Sequence, residues 1–268
     1  MPATDDHAPS DDLALLAAAA SEAGRIALSF FNRKPEVWLK NGSSPVSEAD
    51  LAVDRYLRET LMAARPTYGW LSEETAEAPF RLDSRRSFVA DPIDGTRAFL
   101  DGKPTWCISV AVVEAGRPIA GVLDCPATGE VFTAGIGSGA CKDEQRIRVA
   151  MPRDPALIAG PKPMIDAAHG HLKRTVERVS YIPSLAYRIA MVADGRLDAT
   201  FIKGSAQDWD LAAAELILSE AGGAIRGAGG EPPRYATGDP RHGPLAAGSG
   251  PLLKSMVAAL AAATTPTS

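Results

Sequence analysis

The sequence predicts an α/β protein whose sheets and helices are stacked in layers, built from two halves that meet near residue 150. Three observations support this fold class. Before residue 150, apolar runs follow one another through tight turns, as in antiparallel hairpins. After it, short strand-like runs alternate with segments of helical periodicity. Helical segments also begin and end the chain, and its 268 residues suffice for a substantial core.

The first half, residues 11–150, is expected to begin with helices and to continue with strands. Apolar residues recur at helical spacing from Asp11 to about Phe31, and either Asp11 or Asp12 can cap this helix after a disordered tail over 1–10. A loop rich in Pro, Gly and Ser follows over 34–46. The segment Ser47-Glu48-Ala49-Asp50 resembles a capping box that opens a second helix. Strands are expected at 69–72, 87–90, 106–114, 118–124 and 130–134, with tight connections at 114–117 and 126–129 that predict antiparallel neighbours.

The second half, residues 151–268, is expected to alternate between strands and helices. No strong linker separates it from the first half, so the two halves are expected to share an interface. The predicted strands lie near 156–159, 198–202 and 224–226, the predicted helices at 164–177, 184–194 and 210–221, and an Ala-rich helix at 251–263 ends the chain.

Composition limits the possible partners. The chain carries 28 Lys and Arg against 33 Asp and Glu, a net charge of −5 without a long basic block, so binding to a nucleic-acid polymer is not expected. A small phosphorylated substrate remains compatible, because bound cations reverse the local charge. The cysteines at 107, 125 and 141 match no zinc spacing, and reduced thiols fit a cytoplasmic protein. The start of the chain is polar and the apolar run 13–20 is too short to span a bilayer, so we expect no signal peptide and no membrane partner.

The most informative segment is Asp91-Pro92-Ile93-Asp94-Gly95-Thr96, which follows a strand-like run. Pro92 opposes continuation of a central strand, and Gly95 permits backbone angles that are closed to other residues. Two carboxylates that converge at such a turn repel each other unless a cation lies between them, and oxygen ligands suit Mg²⁺. The pattern therefore predicts a metal or phosphate site, with an Asp-rich surface turn as the alternative.

Other acidic residues are ambiguous when each is taken alone. Glu73 and Glu74 follow a short apolar strand, and adjacent residues of an extended chain point to opposite faces, so at most one of them can join a metal site. A solvated Glu pair is the alternative. Asp210 precedes an apolar helix and Asp50 is the last residue of the capping box, so both can be ordinary helix-start residues.

Taken together, these segments resemble the inositol monophosphatase superfamily. The resemblance rests on Leu71-Ser72-Glu73-Glu74, on Asp91 to Thr96, and on Trp209-Asp210-Leu211-Ala212-Ala213 followed by Glu220-Ala221-Gly222-Gly223. The segment Pro45 to Asp50 is similar to the family's upstream region, and the likeness covers nearly the whole chain. It implies a layered αβαβα sandwich and Mg²⁺-dependent, lithium-sensitive hydrolysis of small phosphate monoesters.

The resemblance also implies a ligand set. Glu73, Asp91 and the backbone carbonyl of Ile93 would hold a first Mg²⁺, while Asp91, Asp94 and Asp210 would hold a second, with Asp91 bridging the two. A weaker third ion would also depend on Glu73. Two such ions can bind the nucleophilic and the leaving oxygen of an in-line displacement.

The remaining roles follow from the same resemblance. Thr96 would orient or help deprotonate the attacking water, with Asp50 as its hydrogen-bond partner and Glu73 contributing through the metal. The backbone amides of Gly95 and Thr96 would receive phosphate oxygens. Lys40 aligns loosely with a lysine of the family and is a candidate substrate contact. Family members are often dimers, so a homodimer is possible.

Two rival functions are less compatible with the sequence. Asp-Gly-Thr after an acid resembles the haloacid dehalogenase-like phosphatases, but the spacing around Pro92 and the position in the chain disfavour an aspartyl nucleophile. A regulatory protein on the same scaffold, for instance one that contacts RNA polymerase, would be expected to lose a ligand, whereas all predicted ligands are retained here.

The substrate is expected to be 3′-phosphoadenosine 5′-phosphate, with inositol 1-phosphate as the alternative. Thr96-Arg97-Ala98-Phe99-Leu100 and Gly121 to Pro126 resemble the 3′(2′),5′-bisphosphate nucleotidase branch, although that branch often has Lys-Glu-Phe at 97–99. Ser72 and Lys203 stand where the inositol phosphate branch tends to carry Gly and Glu. A cation at 203 would favour a second phosphate over inositol hydroxyls.

Overall fold

A computed structural model of the chain describes residues 7–40, 44–75 and 84–264. Within these residues the layers follow one another as a helix pair, a seven-stranded sheet, a second helix pair, a five-stranded sheet and a third helix pair. Each sheet buries both faces, because three separate apolar clusters fill the spaces between the layers. The predicted layered αβαβα fold is confirmed.

The first helix, α1 (Pro9–Phe30), starts earlier than expected. Ala8 precedes it and Pro9 occupies the first turn, where a missing N–H costs nothing, so neither Asp11 nor Asp12 is the cap. The expected tail over 1–10 is therefore wrong at its last residues, and residues 1–6 lie outside the described part of the chain. By length and hydropathy alone α1 could cross a membrane, but helices packed in a protein core also meet these two criteria. The apolar face of α1 packs against the large sheet.

The segment expected to be a loop over 34–46 contains a β-hairpin. β1 (Val37–Lys40) pairs antiparallel with β2 (Ser44–Ser47), although Val37, Trp38 and Leu39 stay largely exposed. The hairpin forms through backbone pairing between the two strands, whereas the residue preferences of this segment indicate a loop. α2 (Glu48–Ala64) follows directly, and the predicted capping box between Ser47 and Asp50 is present.

The large sheet carries the motif segment. Its strands lie in the order in which they occur in the chain, and all pairs except the first are antiparallel. The short helix α3 (Thr96–Leu100) leaves the end of the second strand. The strands are β3 (Gly69–Ser72), β4 (Arg86–Asp94), β5 (Cys107–Glu114), β6 (Arg117–Cys125), β7 (Glu130–Gly135), β8 (Gly139–Lys142) and β9 (Gln145–Arg146).

The second half forms the smaller sheet and four helices. The strands are β10 (Ala156–Ala159), β11 (Val176–Arg178), β12 (Ala199–Ile202), β13 (Ala206–Gln207), β14 (Ala224–Gly227), β15 (Arg241–His242) and β16 (Leu245–Gly248). The helices are α4 (Lys162–Leu172), α5 (Leu185–Ala193), α6 (Asp208–Glu220) and α7 (Gly250–Thr264). The sheet order is β11-β10-β12-β16-β14, and β13 pairs with β15 in a separate ribbon.

The prediction of a helix over 164–177 is wrong at the C-terminal end. α4 stops at Leu172, because Lys173 adopts a left-handed conformation, and the chain then forms β11 parallel to β10. The passage from the large to the small sheet lies between Arg146 and Ala156, while the division into two domains at residue 150 stays a prediction.

α5 and α6 form the central layer and bring the two halves together. The backbone of α6 lies close to the large sheet, since a Cβ added at Gly121 of β6 would stand 3.0 Å from the Ala213 Cα. This close packing fixes the start of α6 beside the end of β4, where the motif residues lie.

Candidate active site

Three carboxylates from distant parts of the chain converge between the large sheet and the central helices. Asp91 and Asp94 come from the end of β4, and Asp210 comes from the first turn of α6. One carboxylate oxygen from each lies within 4.8 Å of the others. The geometry therefore brings together the acids of two motifs that are more than a hundred residues apart in the sequence.

β4 continues through the motif by means of an irregularity. The expected strand ends at residue 90, but pairing with β5 resumes at Asp94 after a register shift that begins at Asp91. Pro92 has no N–H to give to the ladder, and the Ile93 amide instead donates to Asp91 Oδ1 at 3.0 Å. The bulge thus lets both Asp91 and Asp94 contribute to one cluster.

Asp94 is held by the N-terminus of α5. The Ala186 amide donates to Asp94 Oδ2 at 2.6 Å, the Leu185 amide donates to Oδ1 at 3.2 Å, and the Ser184 hydroxyl also donates to Oδ2. Ser184 simultaneously caps α5 by accepting from the Tyr187 amide. These donors fix the orientation of the carboxylate without neutralising it by a formal charge.

Mutual repulsion and burial perturb the acids of the site. Burial, followed by the charges of Asp210 and Glu74, raises the pKa of Glu73 to about 8. Burial, followed by the charge of Asp94, raises the pKa of Asp210 to about 7. The pKa of Asp91 is raised well above its ordinary value by burial and by Glu73. The site thus concentrates more negative charge than its surroundings compensate.

The two adjacent glutamates lie just beyond β3, which ends at Ser72, and they have different partners. Glu73 lies near Asp91 and Asp210, whereas Glu74 Oε2 is 3.4 Å from the Lys40 ammonium. Lys40, at the end of β1, also donates to the backbone carbonyl of Glu73. One glutamate therefore faces the carboxylate cluster, and the other pairs with a cation at its edge.

Thr96 lies between the motif and the start of α2. Its hydroxyl is 3.2 Å from Asp50 Oδ1 and 3.1 Å from the carbonyl oxygen of Ile93, and its single proton can serve one of them at a time. The other oxygen of Asp50 accepts from the Ser47 amide at 2.8 Å. Asp50 thus combines the capping role and the predicted contact with Thr96.

Gly95 connects β4 to α3 in a left-handed conformation, with φ of 98°. A Cβ at this position would lie 3.1 Å from both the Ser184 Cβ and the Thr105 carbonyl oxygen. Backbone conformation and space therefore both require glycine, and Gly95 and Thr96 both line the cavity.

The cluster lines one cavity of about 1130 Å³ that also contains basic side chains. Arg188, in α5, is 7% exposed, and its Nε has no hydrogen-bond partner within the described part of the chain. The charge of Lys203 is close enough to Asp210 to lower the pKa of that acid against the effect of burial. The basic residues that line the cavity are Lys40, Arg97, Arg188 and Lys203.

The donor set fits a hard divalent cation. The atoms on offer are the carboxylate oxygens of Asp91, Asp94 and Asp210, with the Glu73 carboxylate and the Ile93 carbonyl nearby. Such an oxygen-only set suits Mg²⁺, and Asp91 is buried to 1% exposure. A bound cation would relieve the repulsion that raises the pKa values of these acids.

The sequence did not indicate the contribution of the N-terminal part of α5 and its cap Ser184. Ser184, Leu185 and Arg188 lie on a helix that was predicted, but nothing local indicated that its N-terminus would meet Asp94. The available signal was Ser184 at a helix start, where N–H groups are free to bind an anion.

Comparisons with known proteins agree with this geometry. The model of the "Inositol monophosphatase family" matches residues 10–264. An inositol-1-monophosphatase of Rhizobium meliloti is 37% identical over 70% of this chain and 74% of its own length. The Nus factor SuhB of Xylella fastidiosa is 34% identical over 88% and 89%. A 3′(2′),5′-bisphosphate nucleotidase CysQ of Aggregatibacter actinomycetemcomitans is 32% identical over 77% of this chain, with 80% of the relative covered.

A solved structure shares the architecture. The extragenic suppressor protein suhB from Bartonella henselae superposes with a TM-score of 0.81 and 30% identity, over 93% of this chain and 98% of that one. Fold and site together define a phosphoric monoester hydrolase. The chain belongs to the inositol monophosphatase family, whose enzymes depend on Mg²⁺ in general.

Proposed function

We propose that the protein hydrolyses the 3′-phosphate of 3′-phosphoadenosine 5′-phosphate with metal-activated water. The observation that carries this choice is the presence of Lys203 and Arg188 in the same cavity as the carboxylate cluster. A substrate with one phosphate needs cations only at the reacting group. Two additional basic side chains favour a substrate with a second anionic group.

The metal ligands of the proposal are those that the family resemblance implies. Glu73, Asp91 and the Ile93 carbonyl would hold one Mg²⁺, and Asp91, Asp94 and Asp210 another, with a weaker third ion near Glu73. The bound ions would neutralise phosphate and leaving-group charge and lower the pKa of a coordinated water. The convergence of three acids with perturbed pKa values supports this assignment.

Thr96 and Asp50 would orient the attacking water and accept its proton. The Thr96 hydroxyl can accept a hydrogen bond from water while it donates to Asp50 Oδ1. Burial raises the pKa of Asp50, against the hydrogen bonds from Ser47 and Thr96, so its carboxylate is a better proton acceptor than an exposed aspartate. The pair would therefore orient the water and receive its proton.

The phosphate would be bound by backbone amides and by the ammonium group of Lys40. Gly95 and Thr96 line the cavity beside the cluster, and their amides would receive phosphate oxygens. Lys40, whose ammonium lies at Glu73 and Glu74, would approach the same phosphate. Arg188 and Lys203 would bind the second phosphate of the nucleotide.

A panel of substrates tests the proposal. Phosphate release in Mg²⁺ should be fastest, as kcat/KM, for 3′-phosphoadenosine 5′-phosphate, and slower for inositol 1-phosphate and fructose 1,6-bisphosphate. Lys203→Glu should lower the preference for the nucleotide over inositol 1-phosphate by about tenfold or more, while Lys203→Arg retains it. Millimolar Li⁺ should inhibit. Faster hydrolysis of inositol 1-phosphate by the wild type would favour the alternative, an inositol-1-phosphate phosphatase.

A regulatory or interaction role is a second candidate, because a relative named as a Nus factor is 34% identical over 88% of the chain. Capture of RNA polymerase subunits by the tagged protein tests it. Equal capture by wild type and Asp94→Asn would support a binding role that is independent of hydrolysis. Absence of capture by both would leave the phosphatase as the function.

We also propose that the protein acts in the cytoplasm, as a homodimer. The described cysteines are free, and Cys107 and Cys125 are buried, which suits a reducing compartment. Light scattering of the purified protein at micromolar concentration tests the dimer, and a mass of 28.1 kDa would contradict it.

A further inference from the structure

One exposed aromatic side chain stands on the wall of the catalytic cavity. Tyr181 lies between β11 and α5, and it is 76% exposed although it lines the same cavity as Asp91 and Asp210. The other large aromatic residue at this cavity, Trp209, is only 7% exposed and belongs to the core around α6. Among the described cavity residues, Tyr181 is therefore the aromatic ring that a ligand can cover.

The surroundings of Tyr181 differ from those of the carboxylates. Pro161, Pro183 and Leu185 also line the cavity, so apolar side chains are available near the ring. Arg188 interacts electrostatically with both Tyr181 and Asp94. Tyr181 therefore shares a basic neighbour with the carboxylate cluster.

We propose that Tyr181 is a specificity-determining residue whose ring stacks on a planar aromatic leaving group while the phosphate ester lies at the carboxylate cluster. The inference rests on the proposed phosphomonoesterase function and adds to it the residue that would contact the aromatic base of the leaving group, which is adenosine 5′-phosphate for the proposed substrate. A tyrosine offers a flat apolar face at a small cost in side-chain entropy, and its exposed ring loses contact with water only when a ligand covers it.

The experiment compares aromatic and ring-free substrates in the intact enzyme with Mg²⁺. The substrates are 3′-phosphoadenosine 5′-phosphate, p-nitrophenyl phosphate and the ring-free 2-glycerophosphate. The variants are Tyr181→Ala, Tyr181→Phe and, as a control at a 90% exposed apolar residue, Met151→Ala. The measured quantity is the ratio of kcat/KM for each aromatic substrate to kcat/KM for 2-glycerophosphate.

Tyr181→Ala should lower these ratios about fivefold or more, mainly through KM, because stacking on an aromatic side chain is lost. Tyr181→Phe should retain them, since the ring is kept, and Met151→Ala should match the wild type. Unchanged ratios in Tyr181→Ala, or an equal loss on all three substrates, would overturn the proposal.

The two proposals fail separately. If the wild type does not hydrolyse the nucleotide but Tyr181→Ala lowers the ratio for p-nitrophenyl phosphate, the nucleotide assignment is wrong and the stacking role is supported. If the nucleotide is a good substrate and Tyr181→Ala leaves its ratio unchanged, the stacking role is overturned. A change of oligomeric state in Tyr181→Ala with unchanged ratios would assign the ring to a contact between copies and would likewise overturn it.

Discussion

Two groups of buried carboxylates among the described residues differ in their charge balance. On α1, the fully buried Asp12 accepts from Arg65 Nε at 3.1 Å and from Arg86 Nη1 at 3.2 Å. The Tyr68 hydroxyl adds a third donor at 3.0 Å. Arg86 also pairs with Glu114 at 3.5 Å, so two acids and two guanidinium groups form a site whose charges are compensated within the chain.

The cluster at the end of β4 has the opposite balance. Asp91 and Asp94 are 1% and 6% exposed, and no salt bridge of the described residues joins a Lys or Arg to them or to Asp210. The donors to Asp94 are amides and a hydroxyl. The comparison shows that burial of an acid alone does not identify a functional site. An excess of buried negative charge, open to a cavity, does indicate one.

Asp94→Asn should have the largest effect on function, because it removes a charge from the uncompensated cluster. Mutation of a residue that only hydrogen-bonds to a metal ligand typically lowers metal affinity or activity about 10–100-fold. Loss of a ligand itself should therefore lower kcat/KM by more than about 100-fold. The melting temperature in EDTA should be retained within a few degrees. Phosphate release assays and thermal melts measure both, and substantial residual turnover would refute the ligand assignment.

Asp12→Asn should have the largest effect on stability. It removes the buried carboxylate that Arg65 and Arg86 share, at a cost of about 3–5 kcal/mol in the free energy of unfolding, although Arg86 keeps its ion pair with Glu114. Urea titrations provide the measurement, and kcat of the folded fraction should stay close to that of the wild type. Asp101→Asn is the matched control, because its exposed ion pair with Lys103 is worth at most about 1 kcal/mol. Equal losses in both variants would remove the distinction between the clusters.

The adjacent Glu73 and Glu74 allow the same comparison within one segment, because one lies among unpaired acids and the other is paired with a lysine. Glu73→Gln should raise the Mg²⁺ concentration for half-maximal activity about 10–100-fold, because Glu73 lies with the uncompensated acids. Glu74→Gln should change it less than about threefold, since Glu74 is paired with the half-exposed Lys40. The reverse order in a Mg²⁺ titration would show that Glu74 is the ligand.

The pH dependence of stability should differ with and without metal. Burial raises the pKa of Glu73 from 4.5 to about 8 and that of Asp210 from 3.8 to about 7, so the native state without metal binds more protons than the unfolded state. The contribution of these two acids to the free energy of unfolding should therefore be largest below about pH 4 and should decrease as the pH rises to about 8. Saturating Mg²⁺ should flatten the fall. Urea titrations in EDTA that show no decline over this range would contradict the electrostatic account.

Local signals in the sequence were sufficient for much of the first half. The strand before Glu73, the strand that leads to Asp91 and the capping box at Ser47 follow from residue preferences and lie where they were expected, although β4 continues further, to Asp94. Segments whose structure depends on distant partners were missed. β11 exists because it pairs with β10, and β16 is built from Leu, Ala and Gly, which give little strand signal.

The residues of the site likewise include some that the sequence indicates and some that only the fold brings in. Asp91, Asp94 and Asp210 are readable as motif residues, and the fold brings them together. The donors at Ser184 and Leu185 could not be read, because they lie about ninety residues beyond Asp94 and meet it only when α5 packs in the central layer.

Calorimetric titration of Mg²⁺ into the substrate-free protein tests most directly the claim that the cluster at β4 is a cation site. Wild type and Asp12→Asn, at a temperature where both are folded, should bind Mg²⁺ with the same affinity. Asp94→Asn should bind at least about tenfold more weakly. Equal Mg²⁺ binding by wild type and Asp94→Asn, or no binding by the wild type, would contradict it.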